Sequence, residues 1–431
     1  MEKIKFAHIA DCHLGGWRKE SLNALGYAAL RKAIDKIIEN NIDFVIISGD
    51  LYDNSNPKVD VVDVATEQLK RLYDEGIPVY GIMGSHDFSP SGRSMIRPLK
   101  SAEFFHDLFR GKYIDDKLIL RFTQDEKTNV KLTGIRARKR ALEIEEYRDL
   151  DKKSLEEEPG PKIFVLHTMV EELKPKEYKR IKHGPKSLLP NGFIYYAGGH
   201  LHKTVPVELR LEDSISIKKQ DELIKKIIYP GCLFPNNFLE LEKLRNGGFC
   251  IVEYDSSTEN INVQFQKILI KEVLPLNIDA NNKSIQKVRQ LINDEINAKN
   301  IEDKIITMRI MGQLASGKAY ELNVGEITQS VKEKGAYEVL INKAQLLSPE
   351  YKSIRTNPTE TMEKMQSRLI HEHSQNFELD NLSKNEIEEK TYKIIEALGE
   401  AQKPEERKGD YNEAMLDSFY KIMNIKREED T

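Results

Sequence analysis

The stretch that decides the fold is Ile4-Lys5-Phe6-Ala7-His8-Ile9-Ala10-Asp11-Cys12-His13, at the start of the chain. Its first part, Ile4–Ala10, is a mainly apolar run that predicts a short strand, and two polar residues follow directly. Because alternate residues of an extended segment point the same way, Asp11 and His13 can bind one ion while Cys12 turns to the other side. The stretch therefore predicts a strand that ends in a pair of metal ligands.

Four later segments repeat this design, because each places polar residues just after an apolar, strand-like run. They are Gly49-Asp50 after Phe44–Ser48, Gly84-Ser85-His86-Asp87 after Val79–Met83, His167 after Phe164–Leu166, and Gly199-His200-Leu201-His202 after Tyr195–Ala197. Each motif alone is a weak signal. In a parallel α/β sheet, however, the loops at the carboxyl ends of the strands converge on one edge, so we expect all five segments to meet there.

The ligand types indicate the metal. Carboxylates combined with imidazoles favour manganese, iron or zinc, whereas magnesium prefers more oxygen ligands. Two ions about 3.5–4 Å apart need a bridging carboxylate, and Asp50 is the natural candidate. The remaining histidines receive no functional role; they are His8, His106, His183, His371 and His373.

The length of the chain, 431 residues, is too great for one ordinary core, so two or three domains are expected. Strand-like and helical segments alternate over residues 1–270, which predicts an α/β layered domain whose later strands are more antiparallel. Residues 271–345 predict a small α+β domain, residues 346–380 a linker, and residues 381–431 two amphipathic helices. These helices either pack back on this chain or form a hairpin that docks on a partner.

The net charge of −4 and the pI of about 6.3 are not typical of a protein that binds nucleic acid over its whole surface. Contact with DNA would then depend on metal ions, on a partner or on local basic residues, which otherwise form solvated surface. The local candidates are Arg93, Arg97, Arg136, Arg138, Lys139 and Arg140.

The number of cysteines and the length of the apolar runs indicate the cellular compartment. The three cysteines are widely spaced and odd in number, which favours a reducing cytoplasm over a disulfide framework. The apolar runs are far too short to span a bilayer, so no membrane association is expected.

The motifs together resemble those of the calcineurin-like metallophosphoesterases, whose pattern is D-x-H, G-D, G-N-H-D/E, H and G-H-x-H. Within that family the chain is similar to the SbcD-type nucleases, the meiotic-recombination-eleven family of DNA-repair exonucleases, over residues 1–255. The segments that indicate this subgroup are Ala10–Gly15, Ser48–Asp53, Tyr196–Lys203 and Tyr229–Cys232. The implied fold is a layered sandwich with a small α+β capping domain and a C-terminal helical hairpin.

The resemblance also implies a function. It indicates a manganese-dependent exonuclease and endonuclease subunit that processes DNA ends in double-strand-break repair by two-metal phosphodiester hydrolysis. The implied assembly is a homodimer that binds DNA, with the hairpin docked on an SMC-like coiled-coil ATPase of the Rad-fifty or SbcC type. Each subunit would hold two Mn²⁺, with Mg²⁺, Fe²⁺ or Zn²⁺ as less suitable replacements.

The family's functional residues transfer position by position onto this sequence. Metal one would be held by Asp11, His13, Asp50 and His202, and metal two by Asp50, Ser85, His167 and His200. His86 would stabilise the transition state and protonate the leaving oxygen, and Asp87 would orient His86. Ser85 departs from the family, which has asparagine there. Because a serine hydroxyl is a weaker metal ligand, we expect weaker occupancy of metal two.

Three functions remain compatible with the residues. The first is a nuclease that acts at DNA ends. The second is a phosphoesterase for small phosphate esters, for which the capping domain and the hairpin have no evident purpose. The third is a non-catalytic scaffold whose site is degraded at Ser85, against which the retained His86 and the other ligands argue.

Overall fold

The computed structural model describes residues 3–89, 94–138, 142–175, 183–349, 361–374, 382–399 and 408–425. Contacts divide the chain into two units. Unit 1 comprises Met1–Asp279, Gln286–Met311 and Leu322–Gln345, and unit 2 comprises Ala280–Ile285, Gly312–Glu321 and Leu346–Thr431. The domain boundaries predicted at residues 270, 345 and 380 stay a prediction.

The strands of the described residues are β1 (Lys3–Ile9), β2 (Phe44–Ile47), β3 (Val79–Gly81), β4 (His106–Asp107), β5 (Gly111–Ile114), β6 (Lys117–Leu120), β7 (Thr123–Gln124), β8 (Lys131–Ile135), β9 (Lys162–His167), β10 (Tyr195–Gly199), β11 (Ser214–Ile217), β12 (Ile227–Ile228), β13 (Gly247–Asp255), β14 (Asn260–Ile268), β15 (Val273–Asp279), β16 (Ile305–Gln313) and β17 (Glu338–Leu347). The helices in the same ranges are α1 (Glu20–Glu39), α2 (Val59–Asp74), α3 (Ile96–Ser101), α4 (Glu143–Asp149), α5 (Lys152–Glu157), α6 (Val207–Leu211), α7 (Phe238–Leu244), α8 (Ile285–Asn297), α9 (Val324–Glu333), α10 (Met362–Ser374), α11 (Lys384–Gly399) and α12 (Lys408–Met423).

Two sheets form the core of unit 1. The seven-stranded sheet has the order β11-β14-β13-β1-β2-β3-β4, in which β1 to β4 are parallel and β13 is antiparallel to β1. The five-stranded sheet has the order β12-β10-β9-β8-β7, in which β8, β9, β10 and β12 are parallel. The expected antiparallel arrangement is therefore right for β11, β13 and β14 and wrong for β9, β10 and β12. Their crossovers run through loops and short helices such as α6, which have no clear periodic pattern in the sequence.

The two sheets pack face to face, and helices cover their outer faces. Because side chains alternate along a strand, Phe6 of β1 joins the core between the sheets with Tyr195, whereas Ala7 joins the core beneath α1 and α2. On the outer face of the second sheet, Phe164 packs with Tyr147 of α4. This order of layers is the α/β sandwich of the calcineurin-like type that the sequence predicts.

Helix α1 shows why this arrangement follows from the sequence. Its buried residues recur every three or four positions and so form one apolar stripe toward the sheet; they are Leu22, Leu25, Ala29, Leu30, Ala33, Ile34 and Ile37. His8 has no metal-binding role: it is fully buried between the sheets and hydrogen-bonds the hydroxyls of Tyr195, at 2.9 Å, and Ser48, at 2.7 Å.

A smaller sheet of order β15-β16-β17 follows the sandwich and has α8 and α9 between its strands. Its first two strands are parallel. Glu338 of β17 is buried and accepts hydrogen bonds from Lys19, at 2.8 Å, and Ser21, at 2.6 Å, which lie at the start of α1. These charged contacts attach the smaller sheet to the sandwich within unit 1.

Unit 2 contains the helices α10, α11 and α12. The two amphipathic helices predicted around residues 384–398 and 412–425 correspond to α11 and α12. Helix α10 lies in the segment predicted as a linker, where Ile370 is the buried apolar residue and most other side chains are exposed. So few buried apolar residues give no clear helical period in the sequence. Across the described ranges, we find no helix with both the length and the apolar character needed to cross a membrane.

Candidate metal centre

The predicted segments meet at one edge of the sandwich, beyond the carboxyl ends of β1, β2, β3, β9 and β10. His13 N donates to Asp50 O at 3.0 Å, and the backbone nitrogen of His86 donates to Asp50 Oδ1 at 2.8 Å. His200 N donates to both carboxylate oxygens of Asp11, at 2.9 and 3.1 Å, which joins the two sheets. The edge where parallel strands end is the usual position of a ligand site, so the expected convergence is present.

The turns that follow these strands are unusually sharp. Four non-glycine residues at the site adopt the left-handed conformation: Asp11 (φ 50°), His13 (φ 43°), Asp50 (φ 53°) and His200 (φ 83°). This conformation is unfavourable for residues with a Cβ atom, and it is retained where the surroundings impose it, often at functional sites. The strained residues follow three strands, β1, β2 and β10, and their conformation aims these side chains into one small space.

Two glycines let the sheets come close enough for that convergence. A Cβ atom at Gly199 would lie 2.0 Å from Ser48 O, and a Cβ atom at Gly49 would lie 2.4 Å from His167 Nδ1. A larger residue would push the end of β2 away from β10 if it replaced Gly199, and away from β9 if it replaced Gly49. The glycines therefore fix the separation of the predicted metal ligands that follow them, Asp50 and His200.

Three histidines are oriented by acceptors on their Nδ1 atoms. His13 Nδ1 lies 3.1 Å from Asp53 Oδ1, His202 Nδ1 lies 2.8 Å from Glu240 Oε1, and His167 Nδ1 lies 2.7 Å from Ser48 O. Carboxylate and carbonyl oxygens can only accept, so each Nδ1 carries the hydrogen and donates it. Histidines that bind metals are held in this way by a partner on the second nitrogen.

The three Nε2 atoms consequently point into a shared space with two buried carboxylates. His13 Nε2 lies 3.0 Å from His202 Nε2 and 3.6 Å from Asp50 Oδ2. His167 Nε2 is buried and lies 3.1 Å from Asp50 Oδ2. The ring nitrogens and the Asp50 carboxylate thus lie 3.0 to 3.6 Å apart, a spacing at which either a shared proton or a bound cation offsets the negative charge.

The spacing fits a metal ion. Two nitrogen ligands each about 2.1 Å from one ion and at right angles to each other would be about 3.0 Å apart. Ligand atoms within 4.8 Å of one another occur in three groups of the described residues. The groups are Asp11 with His13 and His202, Asp11 with Asp50 and His167, and His13 with Asp50 and His86. Asp11, His13 and Asp50 each belong to two of the groups, so each is placed where two neighbouring ions could share it.

The electrostatics of the centre favour a bound cation. Burial disfavours a charged ring at His167, but the neighbouring Asp50 carboxylate outweighs it and raises the pKa of His167 to about 10. At His202 burial is again outweighed, by Glu240 and Asp11, and the pKa rises to about 9. Although burial alone would raise it, the pKa of Asp50 is held well below its usual value by His167 and His13. The carboxylates thus draw positive charge onto the rings.

His200 behaves differently from the other rings. Its ring centroid lies 5.3 Å from that of His167, and burial together with the nearby charge of His167 lowers the pKa of His200 to about 3. His200 is therefore a neutral imidazole, the form in which histidine binds metals. It is in none of the three ligand groups found among the described residues.

The loop after β3 contains Ser85, His86 and Asp87. The His86 side chain is exposed, and its Nδ1 donates to Asp53 O at 2.6 Å. Asp87 is fully buried, and it accepts hydrogen bonds from Gly84 N at 2.8 Å and Tyr52 N at 2.9 Å. Asp87 thus holds the backbone of the loop while Asp53 O accepts from the His86 ring, and the prediction that Asp87 orients His86 stays a prediction. Ser85 lies half-buried between Gly84 and His86.

The predicted DNA contacts differ in their surroundings. Arg97 is exposed on α3, whereas Arg138 lies 3.5 Å from the carboxylate of Glu146, which reduces its free charge. Arg136 follows β8, and its guanidinium lies 5.6 Å from the ring centroid of Phe88 and 4.6 Å from that of Phe109. The other three candidates, Arg93, Lys139 and Arg140, fall outside the described residues.

Sequence reasoning missed the residues that hold the ligand rings. Asp53 ends the segment Ser48–Asp53, so its proximity to the motif was an available signal. Glu240 lies on α7, 38 residues after His202, and nothing near it in the sequence marks it as part of the site.

Together, the fold and the candidate metal centre define the class of protein, which is a metal-dependent phosphodiester hydrolase of the calcineurin-like type. Residues 4–204 match the family model for calcineurin-like phosphoesterases. The match begins in β1 and extends just beyond His202, so it includes every predicted metal ligand.

Proteins with similar sequences indicate which group within this class the chain resembles. A DNA double-strand break repair protein Mre11 from Sulfolobus acidocaldarius is 28% identical over 311 residues, which cover 72% of this chain and 75% of that protein. Proteins of the same name from Methanococcus maripaludis and Archaeoglobus fulgidus are 31% identical over 208 residues and 28% identical over 299 residues. Those alignments cover 46% and 62% of this chain and 52% and 65% of the relatives. Residues 4–204 of the chain therefore form a calcineurin-like phosphoesterase domain, and the chain is similar to repair proteins of the Mre11/SbcD type.

Proposed function

We propose that the chain is the nuclease subunit of a complex that processes DNA ends in double-strand-break repair. The observation that supports this most is the geometry of the three histidines, whose Nδ1 atoms are all occupied and whose Nε2 atoms meet two buried carboxylates. The similar proteins named above are DNA double-strand break repair proteins, which favours DNA as the substrate.

The proposed centre holds two manganese ions. Asp11, His13, Asp50 and His202 bind metal one, and Asp50, Ser85, His167 and His200 bind metal two. Mixed carboxylate and imidazole ligands suit Mn²⁺ better than Mg²⁺. When bound, such a pair of ions supplies Lewis acidity, which activates a water and neutralises the oxygens of the phosphodiester.

The chain's own residues supply the proton chemistry and the positioning. His86 is the exposed ring of the cluster, and its Nδ1 hydrogen is committed to Asp53 O. Its Nε2 can therefore carry a proton to the leaving oxygen of the DNA strand. Asp87 keeps the loop in place through the backbone of Gly84 and Tyr52, so that the distance of His86 from Asp50 is maintained.

DNA would be guided by the basic residues around this edge. Arg136 is the best placed of the described candidates, because it follows β8 and stacks on Phe88 of the same loop region as His86. Arg97 and Arg138 would contact the phosphates farther along, and Arg93, Lys139 and Arg140 complete the proposed set.

The helices of unit 2 are proposed to dock on a coiled-coil ATPase of the Rad-fifty or SbcC type. Apolar side chains of α11 and α12 that would face water include Leu398, which is 66% exposed, and Leu416, which is 49% exposed. Exposed apolar residues on amphipathic helices fit a groove on a partner. The proposed assembly is a homodimer in the cytoplasm, on the nucleoid if the source is prokaryotic.

The test is degradation of linear duplex DNA by the purified protein with Mn²⁺, compared with His86→Ala and with a chelator. We expect degradation that requires both the metal and His86. Cleavage of a chromogenic phosphodiester but not of DNA would favour a small phosphate ester as substrate. Failure on both substrates, even with the ATPase partner and ATP, would favour a non-catalytic scaffold.

A further inference from the structure

Helix α7 holds one of the metal-one histidines. Glu240 Oε1 accepts the hydrogen of His202 Nδ1 at 2.8 Å, and Glu240 Oε2 accepts from Asn236 N at 2.8 Å. Asn237 begins the helix by accepting from Glu240 N at 3.0 Å, and its own side-chain nitrogen donates to Glu240 Oε1 at 2.6 Å. Both oxygens of the carboxylate are therefore fixed, and the ring they hold is fixed with them.

The residues just before α7 hold the second histidine of metal one. Asn236 Nδ2 donates to Asp53 Oδ1 at 3.0 Å, and the same oxygen accepts from His13 Nδ1 at 3.1 Å. The loop after His13 also touches this segment: a Cβ atom at Gly16 would lie 2.0 Å from Asn236 Oδ1. One short segment, residues 236–240, thus orients both imidazoles of metal one.

The opposite side of α7 is tied to the smaller sheet. Arg309 of β16 makes two hydrogen bonds to Glu242, from Nε to Oε1 at 2.8 Å and from Nη2 to Oε2 at 2.6 Å. The guanidinium also lies 5.2 Å from the ring centroid of Phe238. The Arg309 and Glu242 side chains are only 18% and 12% exposed, so this paired contact is shielded from solvent.

The geometry of a short helix makes these two contacts interdependent. Residues two apart on a helix are about 200° apart around its axis, so Glu240 and Glu242 extend from nearly opposite sides of α7. With seven residues, α7 is too short to be stable by itself and depends on its contacts for its position. A displacement of Glu242 therefore moves Glu240 and with it the ring of His202.

We infer that Arg309 is a positioning residue for metal one, which acts through Glu242 and α7 on the Glu240–His202 pair. The inference rests on the proposed set of metal-one ligands. It gives the smaller sheet an indirect part in the metal affinity of the centre. Replacing a residue that holds a metal-binding histidine weakens metal binding about 10- to 100-fold. Arg309 lies one contact farther from the histidine, so its removal should lower the affinity for metal one by about three- to tenfold. The affinity for metal two should stay unchanged.

The experiment measures Mn²⁺ binding by titration calorimetry and by electron paramagnetic resonance of free Mn²⁺, in the full-length protein. The test variant is Arg309→Met. The matched control is Arg289→Met, which removes an arginine of α8 that pairs with Glu326 at 3.0 Å. Glu240→Gln identifies the binding step that belongs to metal one. Thermal melting in chelator establishes that each variant is folded at the temperature of the titration.

A double-variant cycle separates positioning from general loosening. If Arg309 acts through Glu242, the double variant Glu242→Gln/Arg309→Met should lower the affinity for metal one no more than either change alone. The inference is overturned if the two changes reduce the affinity of metal one additively, or if Arg309→Met and Arg289→Met bind metal one equally well. Both results leave the proposed function intact, provided that the wild-type protein binds two ions. If wild-type protein binds no Mn²⁺ at this centre, the proposed function falls and this inference falls with it.

Discussion

Metal binding should release protons, because protons hold the place of the metals in the free protein. His167 has a pKa of about 10 and His202 a pKa of about 9, so both rings are charged at pH 7.5. His200, with a pKa of about 3, is neutral and has no proton to give. We therefore expect about two protons per subunit, one for each metal, on binding of two Mn²⁺.

The magnitude follows from the distance between each pKa and the pH. The two pKa values lie about 2.5 and 1.5 units above pH 7.5, so proton competition costs about 3 kcal/mol at metal two and about 2 kcal/mol at metal one. The cost is present below these pKa values and disappears as the pH rises through them. Between pH 6.5 and 7.5, each dissociation constant should accordingly fall about tenfold.

Calorimetry in two buffers with different ionisation enthalpies counts the protons directly. A matched variant is Glu240→Gln, which removes the carboxylate that raises the pKa of His202 and should reduce the release to about one proton. Tight binding of two ions with no proton release and no pH dependence would show that His167 and His202 do not carry these protons. The rings would then be neutral in the free protein, and the two carboxylates would not impose charge on them.

Three further outcomes are expected. Ser85→Asn should raise the affinity for metal two roughly tenfold in a calorimetric titration, because an amide oxygen is a better metal ligand than a hydroxyl. An unchanged affinity in the second binding step would exclude Ser85 from the ligand set. Gly199→Ala should lower the free energy of unfolding by about 3 kcal/mol or more in urea, since its Cβ would lie 2.0 Å from Ser48 O; Gly76→Ala, with open space around it, should cost only about 1 kcal/mol. Burial lowers the pKa of His8 to about 3, below the ordinary 6.5, so stability should fall as the pH falls below 6.5. Between pH 6.5 and 5 the wild type should lose about 2 kcal/mol more than His8→Gln, and equal losses would contradict this.

The position of the metal centre could be predicted from the sequence because the relevant information is local. An apolar run followed by Asp11 and His13, or by Asp50, specifies both a strand and what lies at its end. Parallel pairing then brings these strand ends to one edge of the sheet, and this convergence does not depend on specific contacts between distant side chains. The fold class follows from the same alternation of strands and helices, which is a property of each segment.

The remaining features depend on contacts between distant residues. Glu240 and Asp53 become part of the centre only when α7 and the loop after β2 fold against His202 and His13. The parallel pairing of β9, β10 and β12 was missed because their crossovers contain short helices with weak periodicity. Helix α10 was missed because it buries too few apolar residues to give a period in the sequence.

Anomalous diffraction at the manganese edge, from crystals grown with Mn²⁺, shows whether two ions share Asp50. Two peaks about 3.5–4 Å apart are expected, one bound by Asp11, His13 and His202 and the other by His167 and His200. Asp50 should bridge them, and His86 should bind neither. A single peak, or two peaks with no common ligand, would contradict this arrangement.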